Sequence, residues 1–220
     1  MIPDEFRLGE DVDEDFLLSM VRLSVAARDG TEEDVALAEA FARVSRVIPG
    51  RLRVSPNCRY IVTWRQGIRR SEGEHPPGIV VVADMVEEAA FYDLTVTRPM
   101  TAAVSDAGRL VIAVYVWENC RSAAVCRDVS GNMLWQHDFN ANLDAVGISA
   151  SGELAYAATL INPKAKRDSA LLQLLDGQTG AVIRAREWLP GAHRELEFRG
   201  PELYVVYPPT GESGPVLWTE

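Results

Sequence analysis

The side chains best suited to chemistry are sparse in this sequence and lie far apart. The three histidines, His75, His137 and His193, have no second His or Cys at the spacing that closes a metal site. No Gly-x-Ser-x-Gly elbow, phosphate-binding glycine loop or dinucleotide fingerprint occurs. Asp106 and Asp144 fall near turn-like segments, where a carboxylate commonly accepts its own backbone's N–H groups, so both read as turn residues. The sequence thus predicts no catalytic residue, no metal and no cofactor. Cys58, Cys120 and Cys126 form no Cys-x-x-Cys pair, and their odd number predicts reduced structural thiols. Cys120 and Cys126 read as flanking a hairpin turn, a placement sterically open to a cross-strand disulfide but disfavoured in a reducing compartment.

What remains is basic and aromatic. Trp64 and Arg65 precede Arg69 and Arg70, Trp117 ends a long apolar run, Lys164, Lys166 and Arg167 form a short basic segment, and Trp188 follows downstream. Tryptophan and arginine are over-represented among residues that dominate protein interfaces. Basic loops are also commonly just solvated, and tryptophans at strand ends commonly cap hydrophobic layers. The two readings differ in where the surrounding elements put these side chains.

Those elements change character near residue 50. From Asp13, Phe16, Leu17, Met20, Val21 and Ser24 recur at helical spacing, and Gly30 ends the run. Thr31-Glu-Glu-Asp34 resembles a capping box that opens a second helix through Val35, Ala38, Phe41, Ala42, Ser45 and Ile48, stopped by Pro49-Gly50. Residues 1–50 therefore read as a helical hairpin with one apolar face to bury. After Gly50 the period becomes two and the chain repeats. Val54 to Val62, Val104 to Ile112 and Ile148 to Tyr156 align without gaps, and Phe198 to Val206 aligns with one residue deleted. Each unit reads as a strand, a tight polar turn and a second strand, and the starts lie 50, 44 and 50 residues apart. That period suits four-stranded β-propeller blades of about 40–50 residues.

A second turn supports the assignment. Asp128-Val-Ser-Gly131 leads to Trp135, and Asp176-Gly-Gln-Thr-Gly180 leads to Ile183. These segments resemble the repeats of PQQ-like and WD40-like β-propellers, the first of which often carry Asp-x-x-Thr-Gly-x-x-x-Trp between their outer strands. Arg184 stands where the second unit would place Trp, and the Gly-His and Trp-Asp dipeptides of WD40 blades are missing. The resemblance implies a mainly β array of about four antiparallel four-stranded blades behind the helical hairpin. Residues 51–220 divide into blades at about 51–98, 99–143, 144–190 and 191–220. The last blade reaches only a third strand, Pro215 to Trp218. The N-terminal Glu5-Phe-Arg-Leu8 could supply its fourth strand, or two chains could join edge to edge. The quinone cofactor of the full-length PQQ enzymes is not expected here.

In a propeller, the loops between second and third strands open on the same face as the links between blades. Arg65, Arg69, Arg70, Lys164, Lys166 and Arg167 would then share one side with Trp64, Trp117 and Trp188. The leading functional expectation is a non-catalytic protein-interaction module with a basic, aromatic loop face for a partner carrying an acidic patch. The alternatives are a small-ligand or enzymatic site in the central funnel, and a structural subunit that homodimerises through open blade edges. With 22 basic against 32 acidic residues the net charge is −10, which disfavours nucleic acid and anionic membranes. The longest apolar stretch, Leu110 to Trp117, is eight residues, far short of the roughly 20 that a spanning helix needs. The opening residues lack a basic start and an apolar run, which predicts a cytoplasmic protein. Thiol titration of the denatured, unreduced chain should therefore count three reactive cysteines, and a count of one would reveal a bridge.

Overall fold

The computed structural model describes residues 51–65, 78–84, 86, 89–96, 98–116, 121–164, 167–188, 195–207, 212–216 and 218. The predicted helical hairpin and the closing strand at Glu5–Leu8 lie outside these residues.

Among the described residues, fifteen strands form four antiparallel sheets. Sheet one holds β1 (Arg51–Val54), β2 (Tyr60–Arg65), β3 (Gly78–Asp84) and β4 (Ala89–Val96) in sequence order. Sheet two repeats the pattern with β5 (Pro99–Val104), β6 (Leu110–Val116), β7 (Arg121–Arg127) and β8 (Met133–Phe139). Sheet three does so with β9 (Leu143–Ile148), β10 (Leu154–Thr159), β11 (Leu171–Asp176) and β12 (Val182–Glu187). Sheet four has three described strands, β13 (Glu195–Arg199), β14 (Glu202–Tyr207) and β15 (Glu212–Pro215). The first strands meet at the centre: β1 and β2 pack on β5, β5 and β6 on β9, and β9 on β13. β7 runs unbroken from Arg121 to Arg127, so no hairpin turn separates Cys120 from Cys126, which corrects that expectation.

Alternation along each strand decides what touches what. Tyr60, Val62, Trp64, Val80 and Val82 point from sheet one at Ala102, Val104, Leu110 and Ile112 of sheet two. The other face of sheet two sends Val111, Ala113, Ala124, Cys126 and Trp135 against Val146, Ile148, Ala155, Ala157 and Leu175 of sheet three. Sheet three then meets sheet four through Tyr156, Ala158, Leu172, Trp188, Leu196 and Leu203. Polar tips of buried aromatics, and of the half-buried Tyr115, cross the seams, as such groups do when desolvated. The Trp64 indole donates to Met100 O at 3.0 Å, the Tyr115 hydroxyl to Leu143 O at 3.2 Å, the Trp135 indole to Gly177 O at 3.1 Å, and the Tyr156 hydroxyl to Leu196 O at 2.9 Å.

The turns between first and second strands repeat one device. Ser55, Ser105 and Ser149 are buried, and their hydroxyls accept the N–H of Tyr60, Arg109 and Leu154 at 2.9, 3.1 and 3.1 Å. These turns also interlock. Asn57 N–H donates to Asp106 Oδ1 at 2.7 Å, Asp106 N–H to Ala150 O at 2.9 Å, and the Arg109 guanidinium to Gly152 O at 2.5 Å. Asp106 is thus a turn residue, as expected, whereas Asp144 lies within strand β9. In the outer turns, Asp128 accepts from the amides of Ser130 and Asn132, and Asp176 from those of Gln178 and Thr179. The side chains add the strongest bonds, Asn132 Nδ2 donating to Asp128 Oδ2 at 3.0 Å and Thr179 Oγ1 to Asp176 Oδ1 at 2.8 Å. These, with the backbone N–H groups, favour the ionised carboxyl and hold both pKa values below the usual aspartate range.

Gly180 has a left-handed φ of +72°, and a methyl group there would sit 2.8 Å from the Trp135 ring. Gly180→Ala should therefore destabilise the fold by about 1–3 kcal/mol through backbone strain and displacement of a buried indole, read as a lower urea midpoint. A second outcome follows from burial. Desolvation pushes the Cys126 thiol from 9.0 up to about 12 and the Tyr156 phenol from 10.0 up to about 12. The unfolded chain releases these protons first, so stability should hold below about pH 9 and fall as pH rises from there toward 12. The slope should be about 1.4 kcal/mol per pH unit per titrating group, and Cys126→Ala should remove the earlier onset in urea melts.

Candidate functional site

Because the first-to-second-strand turns hydrogen-bond to one another, they all lie at one end of the array. The second-to-third-strand loops and the links between sheets therefore leave from the opposite end. Direct bonds between two of these segments agree. Asn140 donates through its backbone and side chain to Asp168 Oδ2 at 2.7 and 3.0 Å, and the Asn162 side chain donates to Asn140 O at 3.0 Å.

The basic segment of sheet three is built on this scaffold. Asn162 N–H is held by Ser169 Oγ at 2.7 Å, and Asn162 Oδ1 in turn accepts Lys164 N–H at 3.0 Å. Thr159 Oγ1 donates to Asp168 O at 2.5 Å and accepts Leu171 N–H at 2.9 Å, closing the base of the loop. Lys164 and Arg167 are exposed at its tip. The chain order brings further cations to this end: Arg51 begins β1, Arg98 precedes β5, and Arg121 begins β7, with Arg51 and Arg121 exposed. The sequence reading passed over these three because each stands alone beside a strand rather than in a cluster. The signal was available, since any residue that opens a first or third strand must lie at this end. Carboxylates stand at the same end as well: Asp138 on sheet two, Asp144, Asp168 and Glu187 on sheet three, and Glu195 and Glu212 on sheet four, with Asp168 already accepting from Asn140.

The expected aromatic contribution is placed differently. Trp64 is buried between sheets one and two, with its N–H already spent on Met100. Trp188 is buried between sheets three and four, its amide donating to Ala170 O at 2.6 Å. Neither ring face is offered to a ligand. Both instead pin the strand ends from which the loops leave. Arg69, Arg70, Trp117 and Lys166 lie outside the described residues, and the Arg65 side chain is likewise not described.

Near the array's axis, first-strand side chains come into electrostatic reach of one another across sheets. The Tyr156 hydroxyl feels Arg53 of β1 as a stabiliser of its anion, and Glu195, Asp144 and Glu197 as opponents. Desolvation raises the Asp144 carboxyl above the usual aspartate range. Among the described residues, no three His, Cys, Asp or Glu side chains are placed to hold a metal ion. Nor is any described helix long and apolar enough to cross a membrane.

No protein-family model matches the chain, and no curated protein matches it. Solved structures do. The β-propeller domain of the Trilobed protease from Pyrococcus furiosus, described as an open velcro topology, superposes with a TM-score of 0.52 at 9% identity over 71% of this chain. Hydrazine synthase from Kuenenia stuttgartiensis follows at TM-score 0.47 and 12% identity over 72%. The Cps50 (Swd1) β-propeller domain of Myceliophteria thermophila gives 0.39 and 14% over 71%. This chain spans 47%, 49% and 61% of those three chains. At such identities the likeness concerns the fold alone. Antiparallel sheets with their first strands gathered at the centre, and the match to the Trilobed protease domain, establish that the described part of this chain folds as a β-propeller array.

Proposed function

We propose that this chain is a protein-interaction module whose loop end, over sheets one to three, binds an acidic patch on a partner. The observation that carries the reading is the gathering of Arg51, Arg98, Arg121, Lys164 and Arg167 at one end of a chain whose net charge is −10. The opposite end is consumed by structure: its carboxylates at Asp106, Asp128 and Asp176 accept backbone N–H groups of the turns. Arg69, Arg70, Lys166 and Trp117 belong to the same proposed surface by their place in the chain. Trp64 and Trp188 enter as positioning residues that fix the strand ends beneath it. The loop of sheet three is preorganised by Asn162, Ser169 and Asp168, which lowers the ordering cost of presenting Lys164.

Electrostatic recognition of this kind acts mainly on association and is screened by salt. A fluorescent poly-glutamate probe should bind the full chain at low salt and lose about tenfold in affinity or more by about 0.3 M NaCl. Lys164→Glu with Arg167→Glu should slow association at least about fivefold. Arg184→Glu with Arg186→Glu makes the same change in net charge on the outer strand β12 and should have a much smaller effect. Equal losses from both pairs would mean that net charge alone attracts the probe, and the proposed face would be abandoned.

A further inference from the structure

The two end sheets of the array have unlike outer faces. In sheet one, Tyr60, Val62, Trp64, Val80 and Val82 face sheet two, so Ile61, Thr63, Val81 and Ala83 point the other way; Ile61 pairs with Ala83 and Thr63 with Val81. All four are nonetheless buried, at 2, 1, 4 and 3% exposure. The main contacts of sheet one with other described elements are all with β5, on the opposite side. Something else covers this face.

Sheet four is a poor candidate for the cover. Its side away from sheet three carries Glu197 and Arg199, paired to each other with side chains 46 and 47% exposed. Arg199 also donates to Ser213 Oγ at 2.8 Å and lies over the Tyr204 ring, whose hydroxyl donates to Glu202. That face is wet and satisfied within itself. Thr63 makes the converse point: its Oγ1 is buried with no hydrogen-bond partner, so whatever covers it presents no polar group there. A sheet bearing Tyr204, Ser213 and Arg199 would offer several.

The 50 residues before β1 have the right chemistry and length. Their sequence carries apolar side chains at helical spacing, Phe16, Leu17, Met20 and Val21 in one segment and Val35, Ala38, Phe41, Ala42 and Ile48 in the next. A helix of about 17 residues is about 25 Å long, enough to cross a four-stranded sheet about 15–20 Å wide. We propose that the apolar stripe of residues 13–48 seats on the outer face of sheet one, over Ile61, Thr63, Val81 and Ala83, in the position that a preceding blade would take. The array is then capped at one end by its own N-terminal segment and at the other by a self-paired polar face.

Cysteine cross-linking of the full chain tests this directly. With Cys58 and Cys120 replaced by Ser, Thr63→Cys is paired in turn with Ser24→Cys and with Ser45→Cys, both near-isosteric and both on the stripe. Mild oxidation should give an intrachain disulfide with at least one of them, located by peptide mass mapping. A bridge that forms only between chains would assign the cover to a second copy. A bridge to Tyr204→Cys of sheet four would assign it to a closed ring, and either result overturns the proposal. In the single Thr63→Cys variant, thiol labelling should be slow and should accelerate at least about tenfold when Phe16→Asp and Phe41→Asp are added, while Cys126 stays protected. Unchanged labelling would show that the stripe is not the cover.

Discussion

A four-stranded sheet with apolar residues on both faces cannot exist alone in water, and the middle two sheets of this molecule are of that kind. Sheet two sends Leu110 and Ile112 one way and Val111, Ala113 and Cys126 the other. Sheet three divides its core between Ala155 and Ala157 on one side and Tyr156 and Ala158 on the other. Period-two alternation with both phases apolar forces stacking, because each face contributes favourable transfer energy only when a neighbour removes it from water. The rest follows from that stacking. The small residues Ala102, Ala113, Ala124, Ala155, Ala157 and Ala158 let the inner strands approach near the axis, and the larger Trp135, Phe139 and Leu175 fill the seam toward the outside.

Stacking also divides the two ends of the array. At one end the turns are short, and their polar groups are used up by each other: Ser55, Ser105 and Ser149 hold their own hairpins, while Asp106 and Arg109 reach into neighbouring turns. At the other end the connections between β2 and β3 and between β10 and β11 are longer, and the latter supplies side chains in excess of what its backbone needs. Long connections on a rigid scaffold are where binding residues generally accumulate. The use of charge follows this geometry. At the tight-turn end charges of both signs are used by the structure: Asp106, Asp128 and Asp176 accept backbone N–H groups, Arg59 pairs with Asp84, and Arg109 and Arg127 donate to the carbonyls of Gly152 and Gly131.

This explains which features were readable in the sequence. The repeats were, because Ser55, Ser105 and Ser149 and the paired Asp128–Gly131 and Asp176–Gly180 turns each meet a local backbone requirement that few residue types satisfy. The register of Trp64 was equally readable and was passed over. Tyr60, Val62 and Trp64 alternate in phase, so a tryptophan at the end of that row belongs to the face that meets sheet two. Trp188 was harder. Its place is set by β13 and β14, fifteen residues downstream at Leu203, and no local pattern announces that packing. Cys120 and Cys126 were misjudged for a related reason. Arg121, Ser122 and the small residues between them carry weak strand propensity, and only pairing with β6 and β8 makes them one strand.

The seams are not equivalent, and the difference bears on how such an array behaves. Between sheets two and three, Val111, Ala113, Ala124, Cys126, Ala155, Ala157 and Leu175 are fully excluded from water, and the Trp135 indole is satisfied by Gly177. Between sheets three and four only Ala158 and Leu172 of the described core residues are fully excluded. Among the described residues, the buried Trp188 N–H also finds no acceptor. An unmet buried donor costs about 1–3 kcal/mol. Sheet four also has the fewest described strands, and it buries one face only. In a stacked array, stability is close to a sum over units and their interfaces, so the weakest seam opens first. The cations of the proposed surface stand on sheets one to three, and the carboxylates Glu195 and Glu212 on sheet four. The part of the molecule held most firmly is therefore the part that carries the basic loop end, and local opening of the last sheet would leave that surface in place.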